Sequence, residues 1–133
     1  MTYREAQKGH HLRQLSHLFE GDPGGGKFNG KVYPFVLRAP EKNLLSAIRD
    51  EVLLYFSGHL PGAEGTVCFW NSGGEKVVAG HACRLPTGHL LSSQVACLNH
   101  LFPLCRDGKA ATLLLQGLCP DMVEALPVDI HAR

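Results

Sequence analysis

The stretch GDPGGGKF at residues 21–28 sets the first limit on the fold. Glycine is the weakest element former after proline, so four glycines in six positions break any helix or central strand drawn through them. Gly21 to Lys27 also has the G-x-x-x-x-G-K spacing of a phosphate-binding loop. Such a loop needs a strand before it, Ser or Thr after the Lys, and a helix whose N–H groups face the phosphates. Phe28 stands where the metal-binding hydroxyl belongs, and Phe cannot coordinate Mg²⁺. The following KFNGKVYPFVL carries Asn-Gly and a β-branched, aromatic run, which predicts a turn and then a strand. Upstream, EAQKGHHLRQLSHLF places Leu12, Leu15, Leu18 and Phe19 at helical spacing, with Arg13, Gln14 and His17 on the other side. A helix therefore precedes the glycines. The phosphate loop is rejected, and a flexible loop after a helix C-terminus is expected instead. His10, His11 and His17 read as solvent-facing helix residues.

Further along, KVYPFVLR (31–38) has strand composition, and Pro34 assigns it to an edge or a bulge. APEKNLLSAIRDEVLLYFSGH predicts the longest clear helix. Pro40 suits its first turn, Leu44, Ile48, Val52, Tyr55 and Phe56 form its stripe, and Gly58 stops it. Residues 58–88 are rich in Gly and Pro. Two apolar runs there, TVCFW (66–70) and KVVAG (76–80), predict a hairpin turning at Gly73-Gly74. LLSSQVACLNHLF predicts a helix with Leu91, Val95, Leu98 and Phe102 buried and Pro103 at its end. AATLLLQGL predicts a second helix packed antiparallel to it. Cys119-Pro120-Asp121 reads as the start of a last short helix, followed by a strand-like VDI. The expected class is α+β, mainly helical with a small central hairpin or sheet, in one domain of 133 residues.

Composition narrows the chemistry. The net charge is +1, which gives no global electrostatic case for nucleic acid or membrane. No apolar run approaches the roughly 20 residues that span a bilayer. Five Cys and an N-terminus, MTYREAQKGHH, without an apolar core point to reduced thiols and a cytoplasmic protein. Cys68, His81, Cys83 and His89 fall in one loop region but lack the close C-x₂₋₄-C or H-x₃₋₅-H pairs of zinc sites. They read as structural thiols and loop histidines, with a zinc-stabilised domain around Cys68, His81 and Cys83 as a further possibility. Cys97 and His100 are helix neighbours, yet a Cys on a packed helix is usually core. Ser92 and Ser93 lack the strained G-x-S-x-G turn of a nucleophile. A metal-dependent nuclease places an Asp on one strand and D/E-x-K on the next. The one D/E-x-K here, Asp107-Gly108-Lys109, lies in a turn between helices.

The most distinctive surface is on the 91–102 helix. Ser92, Ala96 and Asn99 make a narrow small and polar stripe, extended by Gln94 and His100. Such amides and hydroxyls can hydrogen-bond phosphates or base edges, or equally the backbone of a neighbouring loop.

PTGHLLSSQVACLNHLFPLCRDGKAATLL, followed by PDMVEALPV, resembles a segment of bacterial restriction-endonuclease-like proteins of the PD-(D/E)XK superfamily. KFNGKVYPFVL, NLLSAIRDEVLLYF and CFWN fit the family's N-terminal half, so the likeness spans roughly residues 25 to 128. The resemblance implies that the Asp and E-x-K strands lie downstream of residues 120–128, so that the chain is a front half. It implies nucleic-acid contacts at His89, Ser92, Ser93, Gln94 and Asn99, and a match of Glu51 to a catalytic acidic position. It implies no cofactor in this chain, Mg²⁺ in the full-length family, and DNA, a protein partner or the missing C-terminal half as partners, without a membrane. The resulting expectation is a DNA-associated, restriction-endonuclease-like domain that lacks a complete metal-dependent centre and is inactive alone. The alternative is a small protein-interaction module of a phage or mobile element with no nucleic-acid role.

Overall fold

The computed structural model describes residues 1–63 and 74–125. Among them are α1 (Tyr3–Leu18), β1 (Gly26–Phe28), β2 (Lys31–Tyr33), α2 (Arg49–Phe56), β3 (Glu75–Val78), β4 (His81–Arg84), α3 (Ser93–Leu101) and α4 (Gly108–Gln116). Short 3₁₀ turns at Pro40–Asn43 and Phe102–Cys105 complete the order. The strands pair as two antiparallel hairpins, β1-β2 and β3-β4, and the fold is α+β as expected. No helix among the described residues is long and apolar enough to cross a membrane.

α1 begins with a capping box. Thr2 Oγ1 accepts from Glu5 N–H at 3.2 Å, and Glu5 Oε2 accepts from Thr2 N–H at 2.7 Å. Its predicted apolar stripe is only partly used. Leu15 is buried, whereas Leu12 and Leu18 are exposed, so α1 lies on the body along a narrow contact.

The glycine cluster forms a loop after α1, as its composition predicts. It wraps around the buried carboxylate of Asp22. Oδ1 accepts from Gly24 N–H at 2.8 Å and Arg38 N–H at 3.2 Å, and Oδ2 accepts from Ala39 N–H at 2.8 Å. Burial opposes ionisation, and the three N–H donors of Ala39, Gly24 and Arg38 outweigh it, leaving the carboxyl below the ordinary Asp range. One side chain thus ties the loop to residues 38 and 39. Gly26 N–H then donates to Val36 O at 2.8 Å.

β1 emerges from the last glycine and turns at Asn29-Gly30, whose positive φ values of 50° and 76° give the two-residue turn that Asn-Gly favours. The predicted 31–38 strand is shorter, because β2 ends at Tyr33 before Pro34. Val36 still pairs with His89, and Leu37 N–H donates to Gly88 O at 2.8 Å.

The long helix predicted from Pro40 is broken. A 3₁₀ turn ends at Asn43, Leu44 is extended, and α2 starts only at Arg49. Asn43 causes the interruption. It is buried, and its Nδ2 donates to Thr87 O at 3.0 Å and His89 O at 3.1 Å. A continuous helix would carry that amide away from both carbonyls. Arg49 secures the break from the other side, donating to Leu44 O at 3.0 Å and to both Glu20 oxygens.

The described residues hold a second hairpin, whose turn the sequence does not announce. Residues 75–78 pair with 81–84 across Ala79-Gly80, in the register Lys76↔Cys83 and Val78↔His81. This turn lies six residues after Gly73-Gly74; the TVCFW strand of the predicted hairpin, and Gly73 of its turn, lie outside the described residues. This register turns Val78 and Cys83 into the core with Leu44, Ile48, Val52, Leu53, Leu85 and Val95. Leu54, Phe56, Leu98 and Phe102 pack around its edge.

α3 and α4 start where their caps stand. Ser92 Oγ accepts from Val95 N–H, and Asp107 Oδ1 accepts from Ala110 N–H at 2.9 Å. The last predicted helix does not form. Residues 119–125 fold back on α4 instead, with Gln116 Nε2 donating to Met122 O at 2.9 Å and Ala125 N–H to Thr112 Oγ1 at 2.9 Å. The VDI segment lies outside the described residues.

Candidate nucleic-acid interface

The residues singled out on and before α3 fall into two groups. His89, Ser92 and Asn99 are built into the fold. Asn99 Oδ1 accepts from Leu45 N–H at 2.9 Å, and its Nδ2 donates to Asn43 O at 2.9 Å. Both ends of its amide therefore hold the broken helix against α3. Ser92 is the N-cap of α3. Ser93 is exposed, Gln94 is half-buried, and neither side chain hydrogen-bonds another described residue. This division sets a stability prediction. Asn99→Ala loses both hydrogen bonds and leaves Leu45 N–H without its acceptor, at a cost of about 1–3 kcal/mol. Gln94→Ala changes stability by no more than about 0.5 kcal/mol. Parallel thermal or urea melts of the two variants check this.

His89 sits at the meeting point of three segments. Its Nδ1 accepts from Leu91 N–H at 3.1 Å, which leaves the ring proton on Nε2. Burial, together with the charges of Lys8 and Arg4, holds its pKa below the ordinary histidine value. The neutral ring stands edge-on to Phe28, with centroids 4.9 Å apart, and to Phe35 at 5.1 Å. Tyr33 continues the row at 5.2 Å from Phe35, and Lys8 Nζ lies 4.2 Å above the Phe35 ring. Sequence reading did not find this cluster. Its members are 8, 28, 33, 35 and 89, and only the Val36–His89 pairing brings the last of them to the hairpin.

The carboxylates considered for catalysis are each engaged. Glu51 is half-buried and ion-paired with Arg106. Asp107 caps α4, and Lys109 lies in that helix's first turn. Mg²⁺, which the resemblance implies for the full-length family, needs several convergent oxygen donors. Among the described residues no group of three or more His, Cys, Asp or Glu could hold a metal ion. His81 stacks on His59 with centroids 4.5 Å apart, and Cys83 is buried in the core. Cys68 lies outside the described residues. Cys97 is exposed, not core as its helical setting suggested, and Cys105 is exposed as well.

The α4 end presents a different surface. Leu113, Leu118 and Val123 are 71%, 79% and 90% exposed, far more than an amphipathic helix in a closed core would leave. Leu113 and Val123 line a shallow groove with Gly108, Lys109, Thr112 and Glu124.

Residues 71–132, which include β3, β4, α3 and α4, match the family model described as "Restriction Endonuclease associating with ARP". Over this span the chain is similar to a restriction-endonuclease-associated family. The match covers 62 of the 133 residues, a shorter span than the 25–128 expected from the sequence resemblance. It includes the polar face of α3 and the exposed leucines of α4. The chain matches no curated protein and no solved structure.

Proposed function

We propose that this chain is a restriction-endonuclease-like, DNA-associated domain that lacks a complete magnesium-dependent nuclease centre and does not cleave DNA alone. The observation that carries this reading is the family match over residues 71–132. The engagement of Glu51 by Arg106 and of Asp107 by the α4 backbone supports the second half of it. In this reading Ser93 and Gln94, at the open start of α3, contact DNA directly. His89, Ser92 and Asn99 hold that surface in shape. Cleavage would need carboxylates supplied by further chain or by a partner, with Mg²⁺ bound there.

The test uses purified protein and labelled duplex DNA. Binding is expected at low salt and is expected to weaken steeply as salt rises, because phosphate contacts release counterions. No cleavage is expected with Mg²⁺ or Mn²⁺. Robust cleavage that disappears in Asp107→Ala or Lys109→Ala would refute the incomplete-centre reading.

A second reading, a protein-interaction module, is favoured by one observation: the exposed Leu113, Leu118 and Val123 beside the α4 groove. The matched family's description itself names an association. On this reading Leu113→Asp abolishes complex formation with a protein partner, while the absence of DNA binding at low salt removes the first reading.

A further inference from the structure

Phe28, which displaces the hydroxyl of a phosphate loop, joins an arrangement that the proposed function does not use. Phe28, Tyr33, Phe35 and His89 form a continuous row of rings, none of them fully buried. A cluster serving only as core would be covered. The nearest cations are Lys8, over Phe35, and Arg4, close enough to bear on the His89 charge. Lys27 and Lys31 are exposed on the same hairpin, and β1, its turn and β2 carry no Asp or Glu. Glu5 is the acidic residue nearest to Lys8 on α1, and it is held by the Thr2 capping box.

We infer that the ring row Phe28–His89–Phe35–Tyr33, flanked by Arg4, Lys8 and Lys31, is a binding surface for a single DNA strand. The inference rests on the DNA-associated reading above and names the form of DNA for this part of the molecule. Unpaired bases expose flat π-faces that stack on partly exposed aromatic rings whatever the sequence, while flanking lysines and arginines follow the phosphates. Duplex DNA hides those faces in its own stack, so the ring row discriminates between the two forms. Tyr33 and Phe35, tilted by only 34° to each other, are the pair best placed to take successive bases.

The experiment measures fluorescence polarisation of the full chain with a labelled oligothymidine and with a duplex of equal length, each at low and high salt. Tyr33→Leu, Phe35→Leu and Lys8→Gln are compared with the parent, and circular dichroism reports folding. Single-strand affinity is expected to fall by about 5- to 100-fold in Tyr33→Leu and in Phe35→Leu, following the usual worth of one base–aromatic stack. Duplex affinity is expected to change less than about twofold. Lys8→Gln is expected to reduce the salt slope by about one phosphate contact. Phe35→Leu also removes the partner of Lys8, so Tyr33→Leu, at the outer end of the row, keeps the test valid if Phe35→Leu fails to fold. Single-strand binding that is unchanged in folded Tyr33→Leu overturns the inference. Duplex binding with no single-strand binding overturns it too, and leaves the proposed function standing. Loss of all DNA binding at low salt would instead remove the reading on which it rests.

Discussion

Asp22→Ala is expected to lower the unfolding free energy by about 2–4 kcal/mol. The substitution leaves the N–H groups of Gly24, Arg38 and Ala39 without an acceptor, and each unsatisfied buried or part-buried donor costs about 1–3 kcal/mol before water relaxes the site. Asp22→Asn is expected to recover only part of this. One amide oxygen can still serve Gly24 and Arg38, but the –NH₂ would then face the Ala39 N–H, donor against donor. Urea titration at neutral pH measures both, read as a lower midpoint at unchanged slope. The carboxylate also predicts an acid dependence. Its folded pKa lies below the unfolded value of about 3.9, so its contribution is complete above that value and is lost as pH falls through the depressed folded pKa. Asp22→Asn should therefore flatten the stability–pH curve on the acid side, and an unaltered acid limb would show that the carboxylate contributes nothing by ionisation.

Gly26→Ala is expected to be strongly disruptive for a change of a single methyl group. A Cβ at residue 26 would lie 2.1 Å from Leu37 O and 2.7 Å from Leu37 C, both backbone atoms that no rotamer change can move. β1 must then separate from residues 36–37, and the 2.8 Å bond from Gly26 N–H to Val36 O is lost with it. A cost of about 3 kcal/mol or more follows, in the range reserved for strain and overpacking. Gly30→Ala is the internal comparison. Its φ is 76°, but a Cβ there meets open space, so only the left-handed penalty of about 1–2 kcal/mol applies. Thermal melts of the two variants separate steric exclusion from backbone preference; equal effects would mean that the β1 contact carries no special strain. Because Phe28 ends β1, Gly26→Ala should also impair single-strand binding, and Gly30→Ala should do so far less.

The start of α3 at Ser92 could be anticipated, because a helix cap is a local property. The commitment of Asn99 could not be anticipated. Its partners are Asn43 and Leu45, more than 50 positions away, and they are reachable only because the helix through them breaks. The ion pair of Glu51 could not be anticipated either, because its Arg106 partner comes from beyond α3. The Lys8–Phe35–His89 row was hidden for the same reason.

What the sequence determined by itself was everything set by near neighbours. The capping box of α1, the Asn29-Gly30 turn, the Ser92 and Asp107 caps and the α+β class follow from side chains that act within four residues of themselves. The tertiary structure decided what those neighbours could not. It tied a glycine-rich stretch around Asp22, interrupted a strongly periodic helix at Asn43, and set a hairpin turn at Ala79-Gly80. The physical reason is common to all three. A buried carboxylate, a buried amide and a core-facing Val78–Cys83 pair each satisfy partners far along the chain, and local preference for loop, helix or turn does not specify those interactions.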